Sequence, residues 1–269
     1  MQTFTPDGVS RASLKALSDF LKGISQARAR ALILGCDGAL GRFSGFREQA
    51  KPHPELLPLL HRIKNHTDSR LVIVTGRSAS SVADWLGLPD IDVWGCHGLE
   101  RLKADGAIDK PEIPVDSLDA IAEATDLLFN EGLGQFAERK FASIAIHWQG
   151  KEAHAGHLTR RVLHAWSTVK GRKGILLVPF DGGIEIMAGA RNKSHVVQTV
   201  LAEVGSDSAV AYLGGETTDE DAFAALRGHG LNILVREQYR RTLADVWLRP
   251  PAEVAAFLNF WIAGCKPSN

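Results

Sequence analysis

The sequence lacks three features that would define a protein class: a set of paired cysteines, a net charge and a long apolar run. Its three cysteines, Cys36, Cys96 and Cys265, are widely spaced, which favours neither a disulfide framework nor a zinc ribbon. Lysine plus arginine and aspartate plus glutamate both number 31, so no overall field attracts nucleic acid or an anionic membrane. No apolar run reaches the ~20 residues of a membrane span, and none near the N-terminus has signal-peptide length. We expect a soluble cytoplasmic protein that binds neither nucleic acid nor membrane.

The residues that are present can form a large core, because 45% of the 269 residues are hydrophobic. Short apolar runs, "ALILG", "RLVIV" and "IDVWG", are typical of buried parallel strands. Helical spacing of apolar residues lies before and between them, as in "PELLPLLHRIKNH" and "SASSVADWLG". Strands that alternate with helices predict an α/β fold with a parallel sheet covered on both faces.

The middle of the chain has a different character. A polar, turn-rich segment, "LKADGAIDKPEIP", precedes a helix, the alternating strand "FASIAIHWQ", a second helix and two strands joined by a turn at 181–183. Helix and strand alternate again from "NKSHVV" onward. We expect a Rossmann-like core domain over residues 1–104 and 188–269, with an α+β cap domain inserted at 105–187.

Four short motifs lie where an open parallel sheet collects ligands, near the carboxyl ends of its strands. "LGCDGAL", "VTGRS" and "YLGGETTDED" end predicted strands, and "NKS" opens a helix. In this order they resemble the four motifs of the haloacid dehalogenase (HAD) phosphatase superfamily. Further matches, "WGCHGLERL", "ERKFASIAIHW", "IEIMAGARNKS" and "TDEDAF", narrow the resemblance to the trehalose-6-phosphate phosphatase family over roughly residues 30–260.

This resemblance implies a specific phosphoryl-transfer chemistry. In the family a first Asp attacks phosphorus, a second Asp acts as acid and base, and Mg²⁺ balances the charges. Asp37 matches the acid/base, Thr75 and Gly76 match the phosphate-contacting motif, and Lys193 matches the phosphate-binding lysine. The residues implied for a weak or lost metal site are Asp37, Glu216 and Asp219.

Two departures from the family pattern remove carboxylates from that chemistry. Gly35 occupies the nucleophile position, and Gly215 replaces an acid of the metal site; Ala39 also replaces the usual Thr. Glycine cannot attack phosphorus, and each 1.36 kcal/mol of lost barrier lowering is about a tenfold loss in rate. We therefore predict that turnover is absent or very slow, and that phosphate binds against Lys193 and backbone N–H groups without metal.

The inserted domain retains its match to the family. Glu138, Lys140 and Glu185 correspond to the residues that hold trehalose hydroxyls by charged hydrogen bonds. His147 also matches, whereas Gln149 replaces an Arg of the family pattern. Closure of this domain over the core would enclose a sugar phosphate. The alternation of Glu138 and Lys140 is also common on solvated sheets, which leaves a purely structural interpretation open.

Three functions follow from this pattern. The first is a pseudoenzyme that binds trehalose 6-phosphate or a related sugar phosphate without hydrolysing it, and so senses it or regulates a partner such as trehalose-6-phosphate synthase. The second is an active Mg²⁺-dependent phosphatase of trehalose biosynthesis, in which Asp37, Glu216 and Asp219 recruit a metal and a water attacks directly. The third is a structural subunit whose pocket has no ligand. Mg²⁺ is the cofactor of the second function, and the first needs none.

The spacing "CDGALGR", from Cys36 to Arg42, also fits a cysteine-dependent phosphatase. Successive side chains of a strand point to opposite faces, so Cys36 faces the packed side if Asp37 faces the site. We expect Cys36 to be a small buried residue and not a nucleophile.

Other candidate residues have structural alternatives. Asp219 could belong to an acidic helix N-terminus, Lys193 could be a solvated lysine at a helix start, and Thr75 could only cap the following helix. His154 and His157 lie three residues apart but have too few neighbouring ligands for a metal site. We expect both histidines on the surface.

Overall fold

The structure, a computed structural model, describes residues 11–41, 51–189 and 191–268. Within these ranges the chain forms two compact units. The first contains residues 11–41, 51–109 and 192–268, and the second contains residues 110–189 and 191. The second unit is therefore inserted within the first along the chain.

Twelve strands and eight α-helices are present in the described ranges. The strands are β1 (Ala29–Gly35), β2 (Ser69–Val74), β3 (Asp92–Gly95), β4 (Glu100–Leu102), β5 (Ile108–Asp109), β6 (Ala137–Lys140), β7 (Ser143–His147), β8 (Ile175–Phe180), β9 (Gly183–Ala188), β10 (Ser208–Gly214), β11 (Leu231–Val235) and β12 (Val246–Leu248). The helices are α1 (Arg11–Ile24), α2 (Leu57–His66), α3 (Ala79–Leu86), α4 (Val115–Asn130), α5 (Ala155–Val169), α6 (Lys193–Val204), α7 (Glu220–Leu226) and α8 (Ala252–Gly264). None of these helices is long and apolar enough to cross a bilayer.

The first unit is built on an eight-stranded sheet in the order β12-β11-β10-β1-β2-β3-β4-β5. The strands from β12 to β3 are parallel, which confirms the predicted α/β class with a parallel sheet. β4 and β5 add to it antiparallel and extend the sheet to Asp109. The polar segment that the sequence assigned to the cap therefore begins as a hairpin of the core sheet, with Gly106 at positive φ in its turn.

Helices cover both faces of this sheet because its strands carry apolar side chains on both faces. One hydrophobic cluster joins residues of α1, α2, α3 and α8, such as Leu17, Leu60, Val82 and Trp261, to Leu32 and other residues of the strands. The other cluster joins α6 and α7 to the opposite face. This double covering explains the nearly continuous apolar runs of β1 and β2.

The second unit has an antiparallel sheet in the order β6-β7-β9-β8; α4 packs against β7 and β9, and α5 packs against β9. The buried residues Ile144, Ile146 and Ile186 share one face of this sheet, because Ile144 pairs with Ile186 and side chains alternate. The predicted strands on either side of the turn at 181–183 are β8 and β9. The opposite face carries the polar residues described below.

Candidate functional site

The carboxyl ends of four neighbouring parallel strands form the candidate site of the first unit, which we call the strand-end edge. β11, β10, β1 and β2 lie side by side, and Gly35 at the end of β1 pairs in register with Val74 at the end of β2. Gly214 ends β10 opposite Leu234 of β11. The chain order reverses between β1 and β10, which is where open α/β sheets place their ligands.

The carboxylate of Asp37 is held by Arg77 at this edge. Nη2 of Arg77 donates to Oδ1 of Asp37 at 2.7 Å, and Nε donates to Oδ2 at 3.4 Å. The Arg77 guanidinium lies over the ring of Trp85, 5.4 Å from its centroid. Gly41 lies against the same ring, because a Cβ there would come within 2.9 Å of Trp85. Any ligand of Asp37 therefore shares the carboxylate with a fixed guanidinium.

Lys193 is buried between two carboxylates. Its Nζ donates to Oδ1 of Asp219 at 2.7 Å and to Oε2 of Glu216 at 2.9 Å. Burial lowers the pKa of Lys193, but the two carboxylates more than offset that effect and hold the pKa above its ordinary value. Lys193 is thus charged, and it is not the solvated lysine of the structural alternative. Its position at the start of α6 is set by Asn192, whose side chain accepts the N–H groups of two residues in the first turn.

Glu216 and Asp219 also cap the short helical turn Thr217–Asp219 that leads into α7. The Glu216 backbone N–H donates to Oδ2 of Asp219 at 2.8 Å, and the Glu216 side chain accepts the Asp219 backbone N–H in return, so the two form a capping box. The Tyr212 hydroxyl donates to Oδ1 of Asp219 at 2.8 Å. The structural role proposed for Asp219 is therefore real, and it coexists with the contact to Lys193.

Gly35 leaves limited space at the end of β1. A Cβ at this position would lie 3.3 Å from the Leu213 carbonyl oxygen and 3.8 Å from Oδ2 of Asp219. The first distance is tight but requires a shift of only a few tenths of an ångström. A side chain at position 35 would therefore point toward the buried Asp219 carboxylate.

Gly215 occupies a much more restricted position. A Cβ there would lie 2.5 Å from the carbonyl oxygen of Val235, a backbone atom at the end of β11. It would also approach the Asp37 carbonyl oxygen to 3.5 Å. Arg236 Nη1 donates to the Gly215 carbonyl at 3.0 Å. The backbone around Gly215 therefore excludes any side chain at this position unless β11 moves.

Thr75 and Gly76 follow β2 and are both buried. The Thr75 hydroxyl accepts the Arg77 backbone N–H at 3.0 Å, so it organises the turn that carries Arg77. The N-terminus of α3 is capped by a residue that the sequence did not suggest: the Ala79 N–H donates to Oε1 of Glu100 at 2.7 Å. The proposed role of Thr75 as the cap of this helix is wrong for that reason.

Cys36 faces the packed side of the sheet, as alternation along the strand predicts. It is 1% exposed and belongs to the hydrophobic cluster that contains Leu34. Burial raises the pKa of Cys36 well above its ordinary range, and the neighbouring Asp37 charge adds to the shift. The residue is a thiol at neutral pH, and the thiolate is the nucleophilic form of cysteine.

The carboxylates at the strand-end edge do not fit a divalent cation. Mg²⁺ requires an octahedral set of oxygen ligands, usually including carboxylates that face the ion. Asp37 is engaged by Arg77, Glu216 and Asp219 are engaged by Lys193, and neither Gly35 nor Gly215 carries an oxygen on a side chain. Within residues 11–41, 51–189 and 191–268, no group of three or more histidine, cysteine, aspartate or glutamate side chains has a metal-binding arrangement.

A row of polar residues crosses the sheet of the second unit, and we call it the polar row. Glu138 on β6 and Glu185 on β9 both pair with Ala145 of β7, so their side chains share one face. Lys140 Nζ donates to Oε2 of Glu185 at 2.7 Å, and the Ser143 hydroxyl donates to the other oxygen of Glu185. All three predicted sugar-binding residues therefore lie on the same face of one sheet.

His147 extends the polar row through Glu138. His147 Nε2 and Oε2 of Glu138 are 2.9 Å apart, and both side chains are partly exposed. Gln149 lies just beyond β7. Its Cβ is close to Gly182, where an added Cβ would lie 2.7 Å from it. His154 and His157 are exposed, as expected for surface residues.

Known proteins resemble this chain in sequence and in fold. A family model described as trehalose-phosphatase matches residues 33–245, well over half of the chain. The chain belongs to the trehalose-phosphatase family. A trehalose-phosphate phosphatase of Mycobacterium tuberculosis is 28% identical over 249 residues, which cover 87% of this chain and 61% of that protein. An α,α-trehalose-phosphate synthase of Dictyostelium discoideum is 24% identical, over 81% of this chain and 28% of its own length. The chain therefore spans less than two thirds of these relatives.

Solved structures share the fold of this chain. The C-terminal domain of Candida albicans trehalose-6-phosphate phosphatase has a TM-score of 0.76 at 16% identity, over 98% of this chain and 99% of that domain. The C-terminal domain of the Candida albicans trehalose synthase regulatory protein has a TM-score of 0.67 at 16% identity, over 94% and 100% of the two chains. At these identities the likeness establishes the fold, an α/β core with an inserted cap.

Arg77 and Tyr212 are among the residues of this trehalose-phosphatase family member that the sequence analysis did not identify, as are Glu100 and Ser143. Arg77 stands two residues after the predicted Thr75 in "VTGRS". Its position next to the end of a strand could have predicted that it lies at the site. Tyr212 lies inside a buried apolar strand, where nothing in the pattern marks its hydroxyl as a hydrogen-bond donor to Asp219.

Proposed function

We propose that this trehalose-phosphatase family member binds trehalose 6-phosphate or a closely related sugar phosphate and hydrolyses it very slowly or not at all. The observation that carries the proposal is Gly35. It stands at the end of β1, at the position that the family motif gives to the nucleophilic aspartate. A residue without a side chain cannot form the covalent intermediate on which the family's chemistry depends.

The contacts of Asp37 support the same conclusion. By resemblance, Asp37 is the acid/base, and its carboxylate is bound by the fork of Arg77 at 2.7 and 3.4 Å. An acid/base residue must reach the proton that it transfers. In this chain Asp37 is held by a guanidinium, and the group that it would serve, a nucleophile at position 35, is missing.

The polar row supports ligand binding. Glu138, Lys140 and Glu185 supply two carboxylates and an ammonium on one sheet face, and charged groups of this kind bind sugar hydroxyls strongly. Lys193 and the Thr75 hydroxyl, at the strand-end edge, supply donors for phosphoryl oxygens. The polar row thus offers groups for sugar hydroxyls, and the strand-end edge offers donors for a phosphate.

A chain that holds the metabolite without consuming it suits a sensing or regulatory role. Its partner would be an enzyme that makes or uses the metabolite, and trehalose-6-phosphate synthase is the one we propose. A similar fold occurs in a Candida albicans protein named as a regulatory protein of trehalose synthase.

The decisive experiment combines binding with turnover. Trehalose 6-phosphate, trehalose and glucose 6-phosphate are titrated into the chain by calorimetry, and phosphate release from each phosphate ester is measured with and without Mg²⁺. We expect binding of trehalose 6-phosphate, weaker binding of the other two compounds, and no release above the rate in buffer.

An Asp37→Asn variant serves as the control for turnover. Robust phosphate release that disappears in this variant would show an active Mg²⁺-dependent phosphatase and overturn the proposal. Failure of all three compounds to bind would also overturn it, in favour of a structural subunit. Trapping a phosphorylated side chain during hydrolysis would identify a nucleophile other than residue 35.

A further inference from the structure

The strand-end edge carries as many cationic as anionic side chains around its centre. Its three carboxylates belong to Asp37, Glu216 and Asp219, and each contacts a cation of the chain itself. The cations are Arg77, Lys193 and Arg236, of which the last donates to the Gly215 carbonyl at 3.0 Å. The formal charges of these six side chains cancel. The site therefore needs no divalent ion to offset its own carboxylates.

The carboxylate oxygens of Glu216 and Asp219 already accept hydrogen bonds from the chain. Oδ1 of Asp219 accepts from Lys193 Nζ and from the Tyr212 hydroxyl, and Oδ2 accepts the Glu216 N–H. Oε2 of Glu216 accepts from Lys193 and, at 3.2 Å, from the Thr218 hydroxyl. A divalent ion at these carboxylates would compete with a buried ammonium, and displacing that ammonium is strongly unfavourable because it would lose its counter-charge.

Lys193 can still bind a ligand from this position. An ammonium has three N–H donors, and the described contacts of Lys193 use two of them, toward Glu216 and Asp219. The remaining donor and the charge suit one oxygen of a phosphate monoester.

We propose that the strand-end edge binds a phosphate monoester without a divalent cation, with Lys193 as the resident cation of the Glu216 and Asp219 pair. This inference rests on the proposed function for its ligand, and on the side-chain contacts for its statement about metal. In this proposal the Lys193 ammonium takes the position between Glu216 and Asp219 and so excludes Mg²⁺ from it. This role is additional to the phosphate contact that the family resemblance implies. It also makes Glu216 and Asp219 partners of a lysine and not ligands of a metal.

The first test measures metal binding without a sugar phosphate. Mn²⁺ is titrated into the full chain and followed by electron paramagnetic resonance, and Mg²⁺ is titrated by calorimetry. We expect no saturable binding in the wild-type chain. Lys193→Met removes the resident ammonium and should bind Mn²⁺ at least about tenfold more tightly than wild type. The matched control is Lys22→Met, which removes an exposed lysine of α1 and should behave as wild type.

Saturable Mn²⁺ binding by the wild-type chain that Asp219→Asn abolishes would overturn the inference. So would a folded Lys193→Met variant, verified by circular dichroism, with no gain in Mn²⁺ affinity. If Lys193→Met does not fold, the wild-type titration alone decides. None of these outcomes depends on whether a sugar phosphate binds.

The second test measures trehalose 6-phosphate affinity in EDTA and in excess Mg²⁺. We expect the two dissociation constants to agree within about twofold, because the site's charge is complete without the ion. Binding in Mg²⁺ alone would overturn this inference and leave the proposed function standing. Binding in neither condition would overturn the proposed function. The Mn²⁺ titration would still test whether the strand-end edge excludes a divalent cation.

Discussion

The strand-end edge of the core and the polar row of the inserted unit both hold a lysine against a buried carboxylate, yet they differ in what they can still do. At the edge, Lys193 lies 2.7 Å from Asp219, whose remaining oxygen caps a helical turn. On the polar row, Lys140 lies 2.7 Å from Glu185, while the neighbouring Glu138 is partly exposed beside His147. At the strand-end edge the carboxylates are engaged by cations of the chain itself, whereas the polar row keeps a partly exposed carboxylate that a ligand can reach.

This difference shows that two sites with the same kind of contact need not have the same chemistry. A lysine-carboxylate pair stabilises a fold and orders a site in either unit. Only the groups that remain free to contact a ligand, or to attack it, decide what the site does. At the strand-end edge two positions, Gly35 and Gly215, carry no side chain, and the four predictions below test how much the two regions differ.

The largest effect is expected at Asp219. Asp219→Ala removes the partner of buried Lys193, the acceptor of the Tyr212 hydroxyl and half of the capping box, and should lower the free energy of unfolding by about 3–5 kcal/mol. Chemical denaturation measures this change. Asp221→Ala is the control, because Asp221 contacts Asn192 at the exposed surface and its loss should matter little. If the two variants lower the free energy of unfolding equally, the contacts of Asp219 do not stabilise the strand-end edge more than those of Asp221.

The next effect distinguishes the two glycines of the edge. Gly215→Ala places a Cβ 2.5 Å from the Val235 carbonyl and should destabilise the fold by about 1–3 kcal/mol. Gly35→Ala, whose Cβ would lie 3.3 Å from the Leu213 carbonyl, is the matched control and should be milder. Thermal and denaturant unfolding compare the two. A stable Gly215→Ala variant together with an unfolded Gly35→Ala variant would contradict this prediction, because position 35 would then be the more restricted one.

A smaller effect is expected from the polar row on ligand affinity. Glu138→Gln removes one charged acceptor and should weaken trehalose 6-phosphate binding about tenfold. The reason is that a hydrogen bond to an ionised group is stronger than one between neutral groups. Binding of inorganic phosphate, which has no sugar, should not change. Calorimetry measures both ligands, with Asp126→Asn of the exposed face of α4 as the control. Equal weakening of both ligands would show that the row and the edge are not separate in function.

The smallest effect is expected at the cysteines. Cys36→Ala should leave phosphate affinity unchanged, since burial raises the pKa of Cys36 and keeps it a thiol. In the native chain Cys36 should resist alkylation throughout. Burial raises the pKa of Cys265 to about 11, so its thiolate fraction, and its alkylation rate, should rise about tenfold per pH unit from pH 8 to 10. Mass spectrometry of the alkylated chain locates the label. Early labelling of Cys36 would contradict the prediction and make this residue a candidate nucleophile.

Much of the fold could be predicted from local patterns. Apolar runs located β1, β2 and β3, and the turn at 181–183 located the hairpin of β8 and β9, because strand burial and turn chemistry are properties of short segments. The core's continuation through β4 and β5 could not be read this way. Those strands are short and partly polar, and their pairing with β3 depends on the sheet already being formed.

The site was harder to predict because it depends on pairs that are distant in sequence. Motif order identified Asp37, Lys193 and Asp219 as neighbours of one ligand, but it did not show that Lys193 spends two donors on Glu216 and Asp219. The partner of Asp37, Arg77, lies 40 positions away on another strand end. Such contacts follow from strand order and register, which single-sequence patterns do not contain.

The approach of the Val235 carbonyl to Gly215 makes one of the two glycines far harder to replace than the other. A mutation that introduces an acid at position 35 meets only a tight neighbour, whereas the same mutation at position 215 requires the end of β11 to shift. One substitution can therefore add a carboxylate at position 35, but at position 215 the substitution must be accompanied by a backbone rearrangement.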